Sequence, residues 1–595
     1  MAAAFCFGMS PEFWRGEARP PILPVQDGGR NRLHGAMMNL RSVMALVLVL
    51  VPAAGRAQQL RAVRVGAAQV AGIDSVFGKW DRKDSPGCAV SVARDDQVLF
   101  EKGYGMSNLE YDVPITPESI FHVASMSKEF TALSIVLLAQ QGRLSLDDDV
   151  RKYIPELPWY GTPITLRHLL HHTSGIRDQW SLLEFAGWRD DDPITMGDIL
   201  DIVSRQKELN FPPGAQYLYS NSGFTLAAEV VKRVSGKTLR QFAQENIFAP
   251  LGMTRTHFHD DHTMIVPGRT SAYVPRDSGG GWAISIPVFD NAGATSLFTT
   301  VQDLAKWNAN FVTHRVGGDA GWAMMLDRFV LTDGDTIPYA LGLIHGQYRG
   351  LETIGHNGAD AGYRSDFTRF VEPHIGISVL CNTPTQPDPA LLARRVADVV
   401  LADRLQPAPA QATKAAPAPS ADLTTLPGVY WADETESMMR IEARGDSLVI
   451  ARGPQATALV PLTPGRYRRG TDPVTYTFSG TGAARRIVES AEHQKGAITW
   501  AVQPTRAHPP AAAELQAFAG RYDTEEVDNP WTLSVKGDSL HLRWRRSDDM
   551  TLRPLFVDAF GMGGLILRFQ RDAAGKVTGF RLQAGRVRNL LFRRE

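Results

Sequence analysis

Three short segments, far apart in the chain, carry residue types that acyl-transfer chemistry uses. The first reads Ser125-Met126-Ser127-Lys128 and opens an apolar stretch with helical spacing. On a helix, residues i and i+3 share a face, so the Lys128 amine can lie beside the Ser125 hydroxyl. A serine becomes a nucleophile when a neighbouring base takes its proton, and a buried lysine can be that base. The competing interpretations are a plain helix start and Ser127 as the reactive serine.

The second segment is PPGAQYLYSNSG, residues 212–223. Tyr219 and Asn221 stand two residues apart, so in an extended loop the phenol and the carboxamide point the same way. The phenol can pass a proton between the serine and a leaving group, and the amide can hold a substrate carbonyl. A Gly/Pro-containing turn into the next helix is the structural alternative.

The third segment is the apolar run Thr353–Ala359, which contains His356 and Gly358. The pattern predicts a strand, and a glycine within it leaves room for another backbone to approach closely. The Ala359 N–H can then act as an oxyanion donor together with a free backbone N–H from the first turn of the helix near Ser125. An ordinary strand histidine is the alternative.

The elements that must position these residues lie in region 58–405, which mixes helices and strands. A hairpin is predicted over 90–103, a long helix over 125–141, and further helices follow in the middle of the region. Strand-like runs return at 351–356, 364–372 and 375–381. Strands at both ends of a helical middle indicate an α+β fold whose sheet is completed by the C-terminal strands.

An Ala/Pro-rich stretch, 406–421, predicts a linker between two regions of different texture. After it the sequence repeats at an interval of 92 residues: the LPGVY and GDSL motifs return as FAGRY and GDSL. Each GDSL joins two alternating runs, which predicts a hairpin. We therefore expect two small antiparallel barrels, 422–508 and 509–595.

Composition and the N-terminus bear on location. The 595 residues have zero formal net charge, so neither nucleic-acid binding nor a charged membrane surface is indicated. Residues 1–57 are an upstream extension followed by a predicted signal peptide, cut near Ala57, so the mature chain is expected to be periplasmic or secreted without a transmembrane helix. Cys88 and Cys381 fit two buried thiols better than a bridge, although an exported protein could pair them.

Taken together and in order, these segments resemble the serine β-lactamase and penicillin-binding superfamily, specifically its class C-like branch. FHVASMSKEFTALSI, ITLRHLLHHTSGI, FPPGAQYLYSNSGF, PLGMTRT, GATSLFTTVQDLAKW and GHNGADAGY carry the resemblance, which spans 70–385. It implies an antiparallel sheet flanked by helices, with a helical subdomain. The branch includes esterases, D-aminopeptidases and D-alanyl-D-alanine carboxypeptidases.

The resemblance also implies roles for individual residues. Ser125 would be the acylated nucleophile, Lys128 its proton acceptor and Tyr219 the second proton-transfer group. His356 stands where many β-lactamases have the Lys of K-T-G, and histidine is at most partly charged at neutral pH, which argues against a proficient β-lactamase. The implied substrate-binding residues are Asn221, Gly358, Ala359 and Gln179.

The expected function is that of an exported serine hydrolase that forms an acyl-enzyme on an ester, an amide or a D-amino-acid-containing peptide bond. No metal or organic cofactor is expected, and the partner is a small-molecule or peptide substrate. The alternatives are a D-aminopeptidase or DD-peptidase whose specificity is gated by a barrel loop, a weak β-lactamase, and a non-catalytic muropeptide-binding protein. The barrels are also compatible with docking to the cell envelope.

Three other patterns resemble reactive or metal-binding motifs but are better explained by structure. The string HFHDDH, residues 257–262, resembles a zinc-ligand set, but it follows PLGMTRT rather than a buried strand. The two GDSL copies lie in predicted hairpins, not at a strand-to-helix turn. His168, His171 and His172 have no accompanying carboxylate, so they are expected to close a helix and pack beneath the site.

Overall fold

The fold is taken from a computed structural model. The residues that it describes are 65–277, 279–384, 387–408, 418–452, 455–470, 474–491, 496–505 and 510–595. The predicted leader 1–57 and most of the predicted linker lie outside these ranges. The end of the predicted linker is helical, because a short helix covers Ser420–Thr425.

One antiparallel sheet organises the first part of the chain. Its six strands among the described residues are β1 (Cys88–Arg94), β2 (Gln97–Tyr104), β3 (Ile344–Tyr348), β4 (Leu351–Asp360), β5 (Tyr363–Phe370) and β6 (Ile375–Cys381). The spatial order is β3-β4-β5-β6-β1-β2. The expectation that C-terminal strands complete the sheet is therefore confirmed.

The two cysteines form a disulfide, so the preference for two free thiols was wrong. The register of β1 against β6 sets Cys88 directly opposite Cys381, with their Cα atoms 4.0 Å apart. Two strands from opposite ends of the region become neighbours only in the folded sheet, which is why spacing along the sequence did not indicate the pairing.

Helices cover both faces of the sheet. They are α1 (Ala67–Phe77), α2 (Ser127–Gln140), α3 (Leu166–Leu170), α4 (Gln179–Phe185), α5 (Met196–Ser204), α6 (Asn221–Ser235), α7 (Leu239–Ala243), α8 (Val301–Thr313), α9 (Gly318–Met325) and α10 (Pro389–Val400). Helices α1 and α10 bury Phe77 and Val396 against one face. The opposite face carries the larger core, in which α2 is buried along nearly its whole length.

Short elements connect these units. They are the turns Gly78–Trp80, Ala124–Met126, Val150–Lys152 and Gln244–Phe248, the helix Ala249–Leu251, and the strands Met106–Asn108, Val113–Pro114, Phe121–His122, Ile194–Thr195, His257–Phe258, Tyr273–Pro275, Trp282–Ile284, Phe289–Asp290 and Leu297–Thr299. The helix predicted from Ser125 begins instead at Ser127. Ala124 has a φ of 48°, and this left-handed residue starts a separate 3₁₀ turn before the helix.

Each copy of the repeat forms a closed eight-stranded barrel among the described residues, as predicted. The first comprises β7 (Gly428–Ala432), β8 (Ser437–Arg444), β9 (Ser447–Arg452), β10 (Gln455–Thr463), β11 (Arg466–Arg469), β12 (Val474–Ser479), β13 (Arg486–Ala491) and β14 (Ala497–Val502). The second comprises β15 (Gly520–Asp523), β16 (Trp531–Lys536), β17 (Ser539–Arg543), β18 (Met550–Phe556), β19 (Ala559–Met562), β20 (Leu565–Arg571), β21 (Val577–Ala584) and β22 (Val587–Arg594). A 3₁₀ turn, Gly482–Ala484, lies between β12 and β13, and a short helix, Ala512–Leu515, precedes β15.

The repeated tyrosine has the same structural task in both barrels. The Tyr430 hydroxyl donates to the carbonyl oxygen of Leu426 at 2.7 Å, and the Tyr522 hydroxyl donates to that of Phe518 at 2.8 Å. Each bond ties the first barrel strand to the segment that enters the barrel, which explains why these residues recur at the same interval.

The second barrel shares its core with region 58–405 rather than standing apart from it. Trp531 and Trp544 pack on Phe185 of α4, and the Trp531 indole donates to the Phe185 carbonyl oxygen at 3.2 Å. A buried ion pair joins Arg177 to Glu526 at 2.6 Å. Among the residues described, no helix has the length and apolar character needed to cross a membrane.

Candidate active site

The turn Ala124–Met126 presents Ser125 at the N-terminus of α2. Ser125 is partly exposed, whereas the residues on either side of it are buried. The Lys128 Nζ lies 3.1 Å from the Ser125 Oγ. The strained residue before Ser125, together with the start of α2, therefore turns one hydroxyl towards one buried amine.

Ser127, the competing serine, is engaged in the fold. Its hydroxyl donates to the Ala124 carbonyl oxygen at 2.5 Å and accepts from the Leu297 N–H at 3.0 Å. Ser127 is fully buried. These bonds hold the 3₁₀ turn against the short strand Leu297–Thr299, so Ser127 supports the position of Ser125.

Lys128 is buried among groups that suit a free amine. Its Nζ donates to the Asn221 Oδ1 at 3.0 Å and to the Ala294 carbonyl oxygen at 2.6 Å. A neutral amine has two N–H donors and one lone pair, so the lone pair is left for the Ser125 hydroxyl. Burial holds the pKa of Lys128 well below its usual value, and the positive charge of Arg586 lowers it further.

Tyr219 lies beside this pair, with the centroid of its ring 4.8 Å from the Lys128 Nζ. Within the described part of the chain its hydroxyl meets no partner in hydrogen-bond geometry. Burial raises the pKa of the Tyr219 phenol, and the neighbouring Ser125 hydroxyl opposes the shift only in part. The phenol is therefore protonated at neutral pH and can donate that proton.

Asn221 links Lys128 to an acidic residue that the sequence analysis missed. While its Oδ1 accepts from Lys128, its backbone N–H and its Nδ2 donate to the Asp178 Oδ2 at 2.7 and 2.8 Å. Asp178 also caps α4, because its Oδ1 accepts from the Trp180 N–H at 3.1 Å. An Asp before a helical run was the available signal, but it indicated only the cap.

His356 is buried on β4, and both ring nitrogens have partners. The Nδ1 lies 2.6 Å from the Asn357 carbonyl oxygen, and the Nε2 lies 3.0 Å from the Tyr339 hydroxyl. The first bond places the proton on Nδ1, so Nε2 accepts from Tyr339. Burial, aided by Lys128, lowers the pKa of His356 to about 3. His356 is thus neutral, and Tyr339 is a second residue that sequence reasoning missed.

Gly358 allows β4 to pass directly against the serine turn. A Cβ at this position would lie 2.2 Å from the Val123 carbonyl oxygen and 3.0 Å from the Ser125 nitrogen. Beyond Gly355, β4 pairs with β5 on one side, while the paired part of β3 has ended. Ala359 lies on this extension and is exposed. A substrate backbone can therefore lie along the extension next to Ser125.

Gln179 is the first residue of α4 and follows Asp178. It is fully buried, and neither its amide oxygen nor its amide nitrogen has a hydrogen-bond partner among the described residues. A buried amide without a protein partner costs stability, and the role of Gln179 in substrate binding stays a prediction.

The histidines after α3 pack beneath the site. The ring centroid of His172 lies 4.1 Å from that of Tyr219, and its Nδ1 accepts from the Ser220 N–H at 3.1 Å. Both nitrogens of His171 face backbone carbonyl oxygens, those of Arg167 and Asp327. His172 thus packs against Tyr219, whereas His171 contacts the Phe329 ring and backbone carbonyl oxygens.

The zinc-like string does not converge on one point. The rings of His257 and His259 pack on Phe298, whereas the His262 Nδ1 lies 2.7 Å from the Asp290 Oδ1. Asp261, His262 and Asp290 bring one ligand atom each to within 4.8 Å of one another. The arrangement expected of the full string is therefore not formed by the residues described.

One further residue reaches the site from the second barrel. The turn between β21 and β22 carries Arg586, whose guanidinium carbon lies 4.7 Å from the centroid of the Tyr219 ring. A nitrogen of the same group lies 3.8 Å from the Asp178 Oδ2. No sequence signal pointed to Arg586, because only the docking of the barrel brings it to Tyr219.

A serine in contact with a buried lysine, beside a protonated phenol and a close-passing strand, defines a serine hydrolase of the β-lactamase-related type. The family model described as Beta-lactamase matches residues 28–401, and the chain belongs to this family. The sheet flanked by helices is the β-lactamase/transpeptidase fold.

Relatives match well beyond the catalytic region. The D-aminopeptidase of Gluconobacter oxydans (strain 621H) is 25% identical over 536 residues, which cover 86% of this chain and 96% of that protein. The D-aminopeptidase of Brucella canis is 24% identical over 531 residues, with the same coverage of each. The octameric penicillin-binding protein homologue from Pyrococcus abyssi shares the fold, with a TM-score of 0.52 at 23% identity over 72% of this chain and 99% of that one.

Proposed function

We propose that this chain hydrolyses an amide or peptide bond next to a D-amino acid residue, through an acyl-enzyme on Ser125. The observation that carries the proposal is the surroundings of Lys128. Two acceptor oxygens occupy its N–H groups, and the Ser125 hydroxyl lies 3.1 Å from its remaining lone pair.

Acylation begins when the Lys128 amine accepts the Ser125 proton and the Ser125 oxygen attacks the substrate carbonyl carbon. Negative charge then develops on the carbonyl oxygen of the tetrahedral intermediate. In this proposal the backbone N–H groups of Ser125 and Ala359 donate to this oxygen, which the close approach of β4 to the serine turn supports.

The intermediate collapses when the bond from carbon to the leaving nitrogen breaks. Tyr219 gives its proton to that nitrogen and regains one from the protonated Lys128, whose Nζ lies beside the ring. Water next attacks the acyl-enzyme carbonyl carbon and loses a proton to the Lys128 amine, which is free again and later returns this proton to the Ser125 oxygen. Ser125 recovers its hydrogen as the carboxylic acid leaves, so the enzyme returns to its starting state.

The substrate class rests on architecture and charge. Two D-aminopeptidases align with this chain across most of their length, including sequence beyond the catalytic region. Their activity is their own, and it supports the same class for this chain. Neutral His356 offers no fixed positive charge where many β-lactamases carry Lys, which makes β-lactam hydrolysis the weaker candidate.

Covalent labelling tests the acyl-enzyme. A fluorophosphonate probe is expected to label the wild-type protein and the Ser127→Ala variant but not Ser125→Ala. Lys128→Met is expected to lose labelling at neutral pH, because the serine then has no base. Wild-type labelling of Ser125→Ala would refute the assignment of the nucleophile.

A substrate panel tests the class. D-Alanine and L-alanine p-nitroanilides, p-nitrophenyl acetate and nitrocefin are compared on one preparation of the protein. We expect the D-anilide to be hydrolysed faster than its L-isomer, with nitrocefin slowest. A preference for the L-isomer, or efficient nitrocefin turnover, would contradict the proposed class.

Export is part of the proposal. The Cys88–Cys381 disulfide is typical of an oxidising compartment, and the predicted leader would deliver the chain there. N-terminal sequencing of protein from the periplasm or medium should begin near Gln58. Recovery of the chain with residues 1–57 attached, in the cytoplasmic fraction only, would contradict export.

A further inference from the structure

Two basic side chains share one aromatic ring in the candidate site. The Lys128 Nζ lies 4.8 Å from the centroid of the Tyr219 ring, and the Arg586 guanidinium carbon lies 4.7 Å from the same point. Lys128 comes from α2, whereas Arg586 comes from the last hairpin of the second barrel. The barrel therefore contributes a charge to the centre where the reaction is proposed to occur.

The hairpin that carries Arg586 is held in place by the catalytic region. The Asn210 side chain makes two hydrogen bonds to the backbone of this hairpin. Its Nδ2 donates to the Arg586 carbonyl oxygen at 2.9 Å, and its Oδ1 accepts from the Arg588 N–H at 2.8 Å. The buried Arg177 donates to the Arg588 carbonyl oxygen at 3.0 Å. These bonds to backbone atoms fix the turn, so the position of Arg586 is built into the fold.

The charges around Lys128 do not all favour the same protonation state of its amine. Arg586 disfavours a second positive charge nearby, whereas Asp178 and Asp360 favour it. The other titratable groups that face Lys128 are His172 after α3, His356 on β4 and Tyr219 before α6. Burial lowers the pKa of both histidines and raises that of the phenol, so these three groups are uncharged at neutral pH.

Arg586 is therefore the nearby positive charge that offsets the two carboxylates. An arginine guanidinium is a positively charged group with no acceptor atom. Asp178 is held within 3.8 Å of it and is also bonded by Asn221. Without Arg586, both carboxylates would act on Lys128 unopposed and would favour the ammonium, which cannot accept a proton.

We propose that Arg586 of the second barrel is a positioning residue for the reaction, and that its charge beside Tyr219 keeps Lys128 as the free amine. This inference rests on the proposed function, in which Lys128 takes the Ser125 proton. It makes the second barrel a working part of the catalytic centre, and it places the control of the base in a segment outside the family-matched region.

The pH dependence of kcat/KM for the full chain tests the proposal, with p-nitrophenyl acetate as an uncharged substrate. The acid limb of this profile reports protonation of the base in the free enzyme. Arg586→Met should move the acid limb to higher pH by about one unit, as expected for charges that lie less than 10 Å apart across the Tyr219 ring at an effective dielectric constant of about 20. The rate should recover at high pH, where Lys128 again loses its proton.

Two further variants separate charge from structure. Arg586→Lys retains a positive charge and should keep the acid limb near its wild-type position. Arg581→Met is the matched control, because Arg581 lies on the same hairpin and pairs with Glu208 at 2.9 Å. It should leave the profile unchanged, and a shift in this control equal to that of Arg586→Met would overturn the proposal.

Other results would also overturn it. An Arg586→Met profile that falls equally at every pH, without a shift, would show that Arg586 acts on structure alone. An unshifted profile combined with a selective loss on N-acetyl-D-alanyl-D-alanine, relative to its C-terminal amide, would show that Arg586 binds a substrate carboxylate instead. Failure of the proposed function is distinct, because the wild-type protein would then escape fluorophosphonate labelling.

Discussion

Replacing Gly358 by alanine tests whether the close approach of β4 to the serine turn matters for catalysis. The added Cβ would lie 2.2 Å from the Val123 carbonyl oxygen, 2.5 Å from the Ser365 Oγ and 3.0 Å from the Ser125 nitrogen. Two of these three atoms belong to the backbone, so they cannot rotate away. A carbon–oxygen contact needs about 3.3 Å, and β4 must therefore retreat from the turn by about 1 Å.

That retreat sets the size of the expected effect. Oxyanion donors work at about 2.7–3.1 Å, and the loss of one donor costs about 100- to 1000-fold in kcat, or about 2.7–4 kcal/mol. We expect Gly358→Ala to lose activity on p-nitrophenyl acetate within this range. The overpacked strand should also reduce the free energy of unfolding by about 1–3 kcal/mol.

Steady-state kinetics and urea unfolding measure the two effects separately. Gly197→Ala is the matched control. Gly197 lies in α5, and a Cβ at this position would contact only the Thr195 Oγ1, at 3.5 Å. This control should retain wild-type kcat and gain about 0.5–1 kcal/mol of stability. A Gly358→Ala enzyme with wild-type kcat would refute the reasoning that Ala359 supplies an oxyanion donor beside the turn.

Three further predictions concern stability and the remaining site residues. Glu526→Ala should cost about 3–5 kcal/mol in urea unfolding because it leaves Arg177 charged and buried, whereas the double variant Arg177→Met/Glu526→Leu should cost less. Gln179→Leu replaces a buried amide that has no partner among the described residues by an apolar side chain, so it should unfold at higher urea; a lower midpoint would contradict this reasoning. The folded-state pKa of His356 is lowered to about 3 from 6.5, so its contribution to stability is complete above pH 6.5 and is lost as the pH falls towards 3. His356→Gln, which can still accept from Tyr339, should flatten this acid limb of the unfolding free energy, and an unchanged limb would show that His356 is already charged.

Much of the fold could be predicted because local pattern and long-range structure agree. The alternating runs around each GDSL turn indicated hairpins, and the interval of 92 residues indicated two equivalent units, which are closed barrels in the structure. Strands near both ends of the catalytic region indicated one sheet. The predicted boundaries at 405, 421 and 508 stay predictions, as do the leader and the roles of the site residues.

The sequence by itself determined which chemistry the chain can carry. The spacing of three residues predicted that a serine and a lysine lie on the same side of a helix start, and the structure holds Ser125, in the 3₁₀ turn before α2, 3.1 Å from Lys128. Short spacings of this kind are set by backbone geometry, so they can be interpreted without knowledge of the rest of the fold.

Only the tertiary structure decided which remote groups surround Lys128 and Tyr219. Asp178, Tyr339 and Arg586 come from a helix cap, a loop and a barrel hairpin, and no periodic pattern connects them to Lys128. The Cys88–Cys381 disulfide likewise depends on β1 lying beside β6. Charge and burial act through space, and distances through space between remote segments are set by packing, which local sequence patterns do not encode.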